Sequence, residues 1–331
     1  MDITQALIES YLEPFRGREV HINAMMKDLE LKDGDAKILR ELLCGRLKQK
    51  HLTKPSGKRD GWFTVLPDIK PVKVAGVDSN RFFNLTFPGS HRDTSCFGFE
   101  DLFNVSEGDL IVITGTSNVG KTALVLGILG ENVTKHPCVL MGSEHSSSDG
   151  FILPKFKRRL EKMAWAPFFK DGELTFKLLP VIADYEDWVE TGKINIIDWI
   201  ALDEKLWLVG NTLKCIKDAA GKGITIAVLQ KKHGSAYAYG QEATEHYADV
   251  YLAVDPLGNF ESRLTIGKVK EPKTRVRGRS WGFEVVDNGA NIINIRELKP
   301  CPKCKGHGKN FGNDCEPCLG KGYMNKEELG F

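Results

Sequence analysis

Two short stretches of this 331-residue chain carry residue types whose spacing can do chemistry. The first, GTSNVGKT at residues 115–122, has the order G-x-x-x-x-G-K-[ST]. Such a loop wraps a phosphate in backbone amides. Gly115 and Gly120 permit the wrap, Thr116, Ser117, Asn118 and Val119 lie between them, Lys121 reaches the β- and γ-phosphates of ATP, and the Thr122 hydroxyl holds Mg2+. The second, CPKCKGHGKNFGNDCEPCLGKG, repeats C-x-x-C-x-G-x-G and offers the thiolates of Cys301, Cys304, Cys315 and Cys318. Four thiolates complete a tetrahedral Zn2+ shell, so His307 is not needed as a ligand, and the glycines allow tight turns whose amides bond to sulfur. Iron, or thiols without metal, is the alternative.

Other residues gain interest from where they fall. Asp198 closes the apolar run INIID, so it is expected at the tip of a buried strand beside the loop strand, as a second magnesium contact; capping a following helix is the plainer role. Glu144 closes CVLMGSE, the strand after the loop helix, where a carboxylate can orient or deprotonate an attacking water.

The elements that must position these groups follow from periodicity. From Gly108 onward buried strands alternate with helices: DLIVIT, then TALVLGILGENV, PCVLMGSE, GFILPKFKRRLEKMAWA, INIIDWI, DEKLWLVGNTLKCIKDAAGKG, ITIAVLQ and ADVYLAVD. That alternation predicts an α/β fold, a mostly parallel sheet covered by helices. The strands after it, in FESRLTIGKVKEP and SWGFEVVDNGANIINIREL, read as antiparallel. Before it, residues 1–66 read as three helices and a hairpin, with Ile38, Leu39, Leu42, Leu43 and Leu47 on one face of the third helix, the order of a winged helix-turn-helix. Residues 67–92 read as a linker, 93–298 as the ATPase core and 299–331 as the zinc module.

The core resembles RecA-like P-loop ATPases, most closely DnaB-type replicative helicases, over about residues 93–287. The resemblance is carried by TSCFGFEDLFNVSEGDLIVITGTSNVGKTALVLGI, by Ser143 and Glu144 of GSEHS, by Asp198, by a strand ending in Gln230, by KKHGSAYAYGQEATEHYADVYLAVD and by IGKVKEPKTRVRG. It implies that Glu144 activates water, that Gln230 senses the γ-phosphate, and that Lys268 and Lys270 reach the γ-phosphate of a neighbouring subunit in a ring, a hexamer first of all, or a filament. A solvated basic loop is the other reading of those two lysines. Lys270 stands where the helicases usually carry arginine, an arrangement closer to RecA recombinases, and a winged helix replaces the helical N-terminal domain of the DnaB kind. The resemblance therefore implies an ATP-driven DNA motor, helicase or translocase, in replication or recombination. A recombinase-like strand-coating filament and a DNA-binding regulator or loader that uses ATP as a switch are the alternatives.

Two basic clusters bear on DNA. Between residues 37 and 59, Arg46, Lys48, Lys58 and Arg59 stand among eight cations with Glu41 as the only acid, suited to duplex phosphates or to docking a protein. The loop KKHGSAYAYG offers Lys231 and Lys232 as cations and Tyr237 and Tyr239 as stacking surfaces for single-stranded DNA, or is a plain surface loop. Bulk charge selects no polyanion, because 46 basic residues against 44 acidic ones leave a net charge of only +2. No apolar run approaches the ~20 residues that span a bilayer, and the first residues are acidic where a secretion signal is basic. A cytoplasmic protein, in the host cytoplasm if viral, with no membrane partner is expected.

Overall fold

The computed structural model describes residues 3–32, 34–57, 60–68, 70, 72, 76, 78–147, 149–201, 208–235 and 237–327. They divide into two units, Met1–Ser79 and Asn80–Phe331.

In the first unit, α1 (Gln5–Leu12) is followed by β1 (Glu19–His21), α2 (Ile22–Asp28), α3 (Asp35–Cys44), α4 (Arg46–Gln49), β2 (Thr53–Pro55) and β3 (Trp62–Val65). Thr4 caps α1 by accepting the Leu7 amide, satisfying a donor that the first turn leaves open. The strands form an antiparallel sheet in the order β1-β3-β2. β1 is a strand that apolar periodicity misses. The expected third helix is broken at Gly45 into α3 and α4. Its face is also narrower than expected: Leu39, Leu43 and Leu47 are buried with Ile8, Met25 and Val65, whereas Ile38 is 48% exposed.

The second unit is built on a ten-stranded mixed sheet. Its chain order is β4 (Leu110–Gly115), α5 (Lys121–Asn132), β5 (Cys138–Met141), α6 (Pro154–Lys162), the two-residue strands β6 (Phe169–Lys170) and β7 (Glu173–Leu174), β8 (Lys177–Leu179), β9 (Ile194–Ile197), α7 (Val209–Ala220), β10 (Ile224–Gln230), α8 (Ala243–His246), β11 (Val250–Leu257), β12 (Glu261–Val269), β13 (Ser280–Val286), β14 (Asn291–Pro300), β15 (Lys309–Asn310), β16 (Asn313–Asp314) and β17 (Tyr323–Asn325). Across the sheet the order is β17-β14-β13-β12-β11-β4-β10-β9-β5-β8. Strands β8 through β11 pair in parallel, and β11 through β17 antiparallel. The fold is thus α/β with a large mixed sheet. Residues 203–207, read as the start of a helix, lie outside the described residues.

Strand alternation decides which layer each side chain joins. Ile111 and Ile113 of β4 pack on one face with Leu124, Ile128 and Phe156 of α5 and α6, while Leu110 and Val112 pack on the other with Val209, Leu213 and Ile216 of α7. Sandwiched between helical layers, the parallel strands read as continuous apolar runs.

Three expectations change. β9, which ends just before Asp198, does not neighbour β4; β10 lies between them. Part of the supposed linker belongs to the second unit: Leu85 and Phe87 are buried, and Phe87 packs edge-on to Phe99 and Phe103. Turn-forming residues there disguise a segment tied down by aromatic packing and by Asn132, whose side chain bonds both the N–H and the C=O of Thr86. Finally, the cysteine-rich tail is not set apart from the core, because its outgoing strand β17 pairs with β14.

Candidate functional site

The phosphate loop leaves β4 at its interior position in the sheet and enters α5 at Lys121. Gly120 has φ +87°, and a Cβ there would lie 2.7 Å from Val285 Cγ2. A Cβ on Gly115 would meet the Val254 carbonyl at the same distance. Both positions exclude side chains, the condition for a loop whose amides close around an anion.

A cavity of about 410 Å³ opens in front of the loop, lined by Asn118, Gly120, Lys121 and Thr122, by Glu144 and His145 beyond β5, and by Lys155 and Arg159 of α6. Lys121 Nζ donates to the Thr116 carbonyl at 2.5 Å. Burial lowers the Lys121 pKa, against the opposing charges of Asp198 and Glu144. A desolvated cation within the field of two carboxylates suits a polyanion accompanied by a cation.

Glu144 is exposed to this cavity and accepts a hydrogen bond from Trp199 Nε1 at 3.3 Å. Asp198 is 4% exposed and lies 3.4 Å from His145 Nε2, a buried nitrogen without a well-aligned hydrogen-bond partner among the described residues. No motif in the sequence marks His145 or Trp199. Adjacency to Glu144 and Asp198 is the signal the sequence offers for them. Gln230, at the end of β10, is in register with Gly115, and the following Lys231 amide donates to the Gly115 carbonyl at 3.1 Å. The residues fit ATP and Mg2+: a glycine cradle, a desolvated lysine, and the Thr122 hydroxyl and Asp198 carboxylate as hard oxygen donors.

The other expected residues are placed less uniformly. Lys268 Nζ donates to the carbonyls of Glu245 and His246, at 2.7 and 2.9 Å, at the end of α8. Lys270 pairs with Asp249 at 2.7 Å. Both cations therefore have partners within their own chain. Lys231 is a correction: its side chain is 2% exposed and pairs with Asp255 at 2.7 Å, so the cation expected to face DNA is instead buried inside the protein. Lys232 and Tyr239 are exposed, and Tyr237 is half-buried. Arg46 and Lys48 are exposed on α4, while Lys58 and Arg59 lie outside the described residues.

The four cysteines form a second site. Cys301, Cys304, Cys315 and Cys318 are buried, and their sulfurs all lie within 4.8 Å of one another. The Cys301–Cys315 and Cys304–Cys318 separations are 3.8 and 3.7 Å. A tetrahedron of ~2.3 Å zinc–sulfur bonds spaces its sulfurs by about 3.8 Å, so the donor set fits Zn2+. The repeat gives internal symmetry: the Gly308 amide donates to Cys304 Sγ and the Gly322 amide to Cys318 Sγ, each at 3.3 Å. His307 is exposed, outside the cluster.

No family model matches this chain, and no curated protein matches it. Among solved structures, a KaiC-like protein from the hyperthermophilic archaeon Pyrococcus horikoshii is similar with a TM-score of 0.45 and 17% identity, over 64% of this chain and 99% of that one. A likeness at that level carries no functional argument, and the roles assigned below rest on this chain's own residues. No helix among the described residues is long and apolar enough to cross a membrane.

Proposed function

We propose that this protein is a magnesium-dependent ATPase of the RecA/DnaB type that acts on DNA as a helicase or translocase. One observation carries the reading: a single cavity collects the phosphate loop, Lys121, Thr122 and Glu144, with Asp198 close enough to act on the charge of Lys121. In this reading the loop amides and Lys121 bind the β- and γ-phosphates. Thr122 and Asp198 hold magnesium, which when bound neutralises phosphate charge. Glu144, oriented by Trp199, takes the proton of the attacking water. Gln230, in register with the start of the loop, reports the state of the γ-phosphate to the segment that follows it.

The element order of the first unit supports a winged helix that docks on duplex DNA through Arg46 and Lys48, and the cysteine shell supports a structural zinc. Assembly into a ring, a hexamer, would release Lys268 and Lys270 from their own chain to act on a neighbour's nucleotide. A second reading, a DNA-bound regulator that uses ATP as a switch, is favoured by those same two lysines being engaged at home. Glu144→Gln tests the chemistry: ATP binding is retained while turnover falls by about 10²–10⁴-fold. Undiminished turnover would reject the role of Glu144.

A further inference from the structure

At the end of β14, an open groove of about 450 Å³ is lined by Arg275, Arg277, Arg279, Lys299 and Lys326 with Glu297 as the one acid. We propose that this groove is a track for the phosphate backbone of single-stranded nucleic acid, and that the root of the cysteine module forms one of its walls. The proposal deepens the DNA-acting reading above and rests on it.

The charge balance of the groove is the first argument. Glu297 is already surrounded: Arg279 donates to both of its oxygens at 2.9 Å, Lys326 lies at 3.0 Å and Lys299 at 3.5 Å. One carboxylate cannot neutralise three cations, and Arg275 has no acidic partner among the described residues. Arg277 is 77% exposed and only 3.9 Å from Glu245, beyond hydrogen-bond reach. The groove therefore holds a positive surplus, with two exposed guanidiniums suited to bidentate phosphate contact.

Its surroundings give the second argument. Arg277 and Gly278 also line an adjoining cavity of about 400 Å³, whose walls include Tyr237 and Tyr323. Arg263 lies over the Tyr323 ring at 4.2 Å, and its Nε is buried with no hydrogen-bond partner among the described residues. A cationic groove that opens onto aromatic rings and an unsatisfied donor fits a strand whose bases are free to leave the stack, rather than a duplex. The wall is held by the module: β17 pairs with β14 from Leu298 to Pro300, Arg296 Nε donates to Asn325 at 2.7 Å, and Lys321 pairs with Glu261 at 2.5 Å.

The test uses the full chain and a fluorescent oligothymidine, with anisotropy read between about 50 and 200 mM salt. Replacing Arg275 and Arg277 together with alanine is expected to weaken binding at least tenfold and to reduce the salt slope by about 1.4, the loss of two single-strand phosphate contacts. The paired Arg→Lys substitutions are expected to retain most of the affinity. Unchanged affinity and slope in the alanine pair, with the wild type binding, would overturn the track while leaving the DNA motor standing. A wild type that binds neither oligothymidine nor duplex overturns both. Tighter binding to a duplex of equal length would overturn the single-strand assignment. Loss of the oligomer on sedimentation with oligothymidine affinity intact would overturn the track in favour of a contact between copies.

Discussion

The cysteine cluster and the phosphate loop both begin as short glycine-containing motifs, yet they become sites in different ways. The cysteine shell closes within residues 301–322, with donor, turn and amide partner repeated at fixed spacing. The phosphate loop supplies only half of its site. Glu144 arrives from beyond β5, Asp198 from just beyond β9 and Gln230 from the end of β10, and sheet order brings them toward the loop. A closed local shell can be read and broken locally, whereas an assembled site can lose function without losing any of its motif.

The largest expected effect would break the local site. Structural zinc contributes apparent binding energies of about 10–16 kcal/mol in small zinc peptides. The wild type is therefore expected to hold one metal per chain by elemental analysis, and Cys301→Ser to lose it and to expose residues 301–325 to hydrogen exchange. A folded wild type without metal would refute the shell. Next comes the cradle. Gly120→Ala places a Cβ against Val285 at a positive φ, and is expected to cost about 1–3 kcal/mol of unfolding free energy and to remove ATP binding by calorimetry. Retained affinity would show that the loop binds no phosphate in this conformation.

A third prediction probes how far the assembled site extends. If Lys268 and Lys270 act across subunits, mixing their double-alanine variant with Lys121→Ala should restore part of the hydrolysis lost in each alone. No recovery in demonstrably mixed oligomers would confine the site to one chain. The smallest expected effect is on pH-dependent stability. Burial by itself would raise the Glu297 pKa, but Arg279 and Lys326 outweigh it and hold the carboxyl at about 2. The stabilisation from a depressed carboxylate is complete above its unfolded value near 4.5 and is lost as pH falls toward about 2. Glu297→Gln should flatten that acid limb in denaturant titrations. An unchanged limb would mean that Glu297 does not anchor the cations around it.

Legibility in the sequence follows the same division. The loop motif, the cysteine repeat and the strand–helix alternation are local patterns, so their elements could be read directly. The position of β9 could not, since nothing in INIID records that β10 slots between it and β4. Lys231 reads as an exposed loop cation in the sequence because its burial depends on Asp255 of β11, a partner remote in sequence. The segment at 80–92 reads as part of a linker because its turn formers are visible, while Asn132 and the phenylalanines that hold it are distant.

The sequence by itself determined what can be specified by spacing along one chain segment: a phosphate-wrapping loop, four thiolates on two turns and the alternation of an α/β sheet. Only the tertiary structure decided which carboxylates face Lys121, which cations are already neutralised, and that the cysteine module continues the core sheet. Those are outcomes of strand order and burial, and they depend on contacts between residues far apart, whose energies no local pattern encodes.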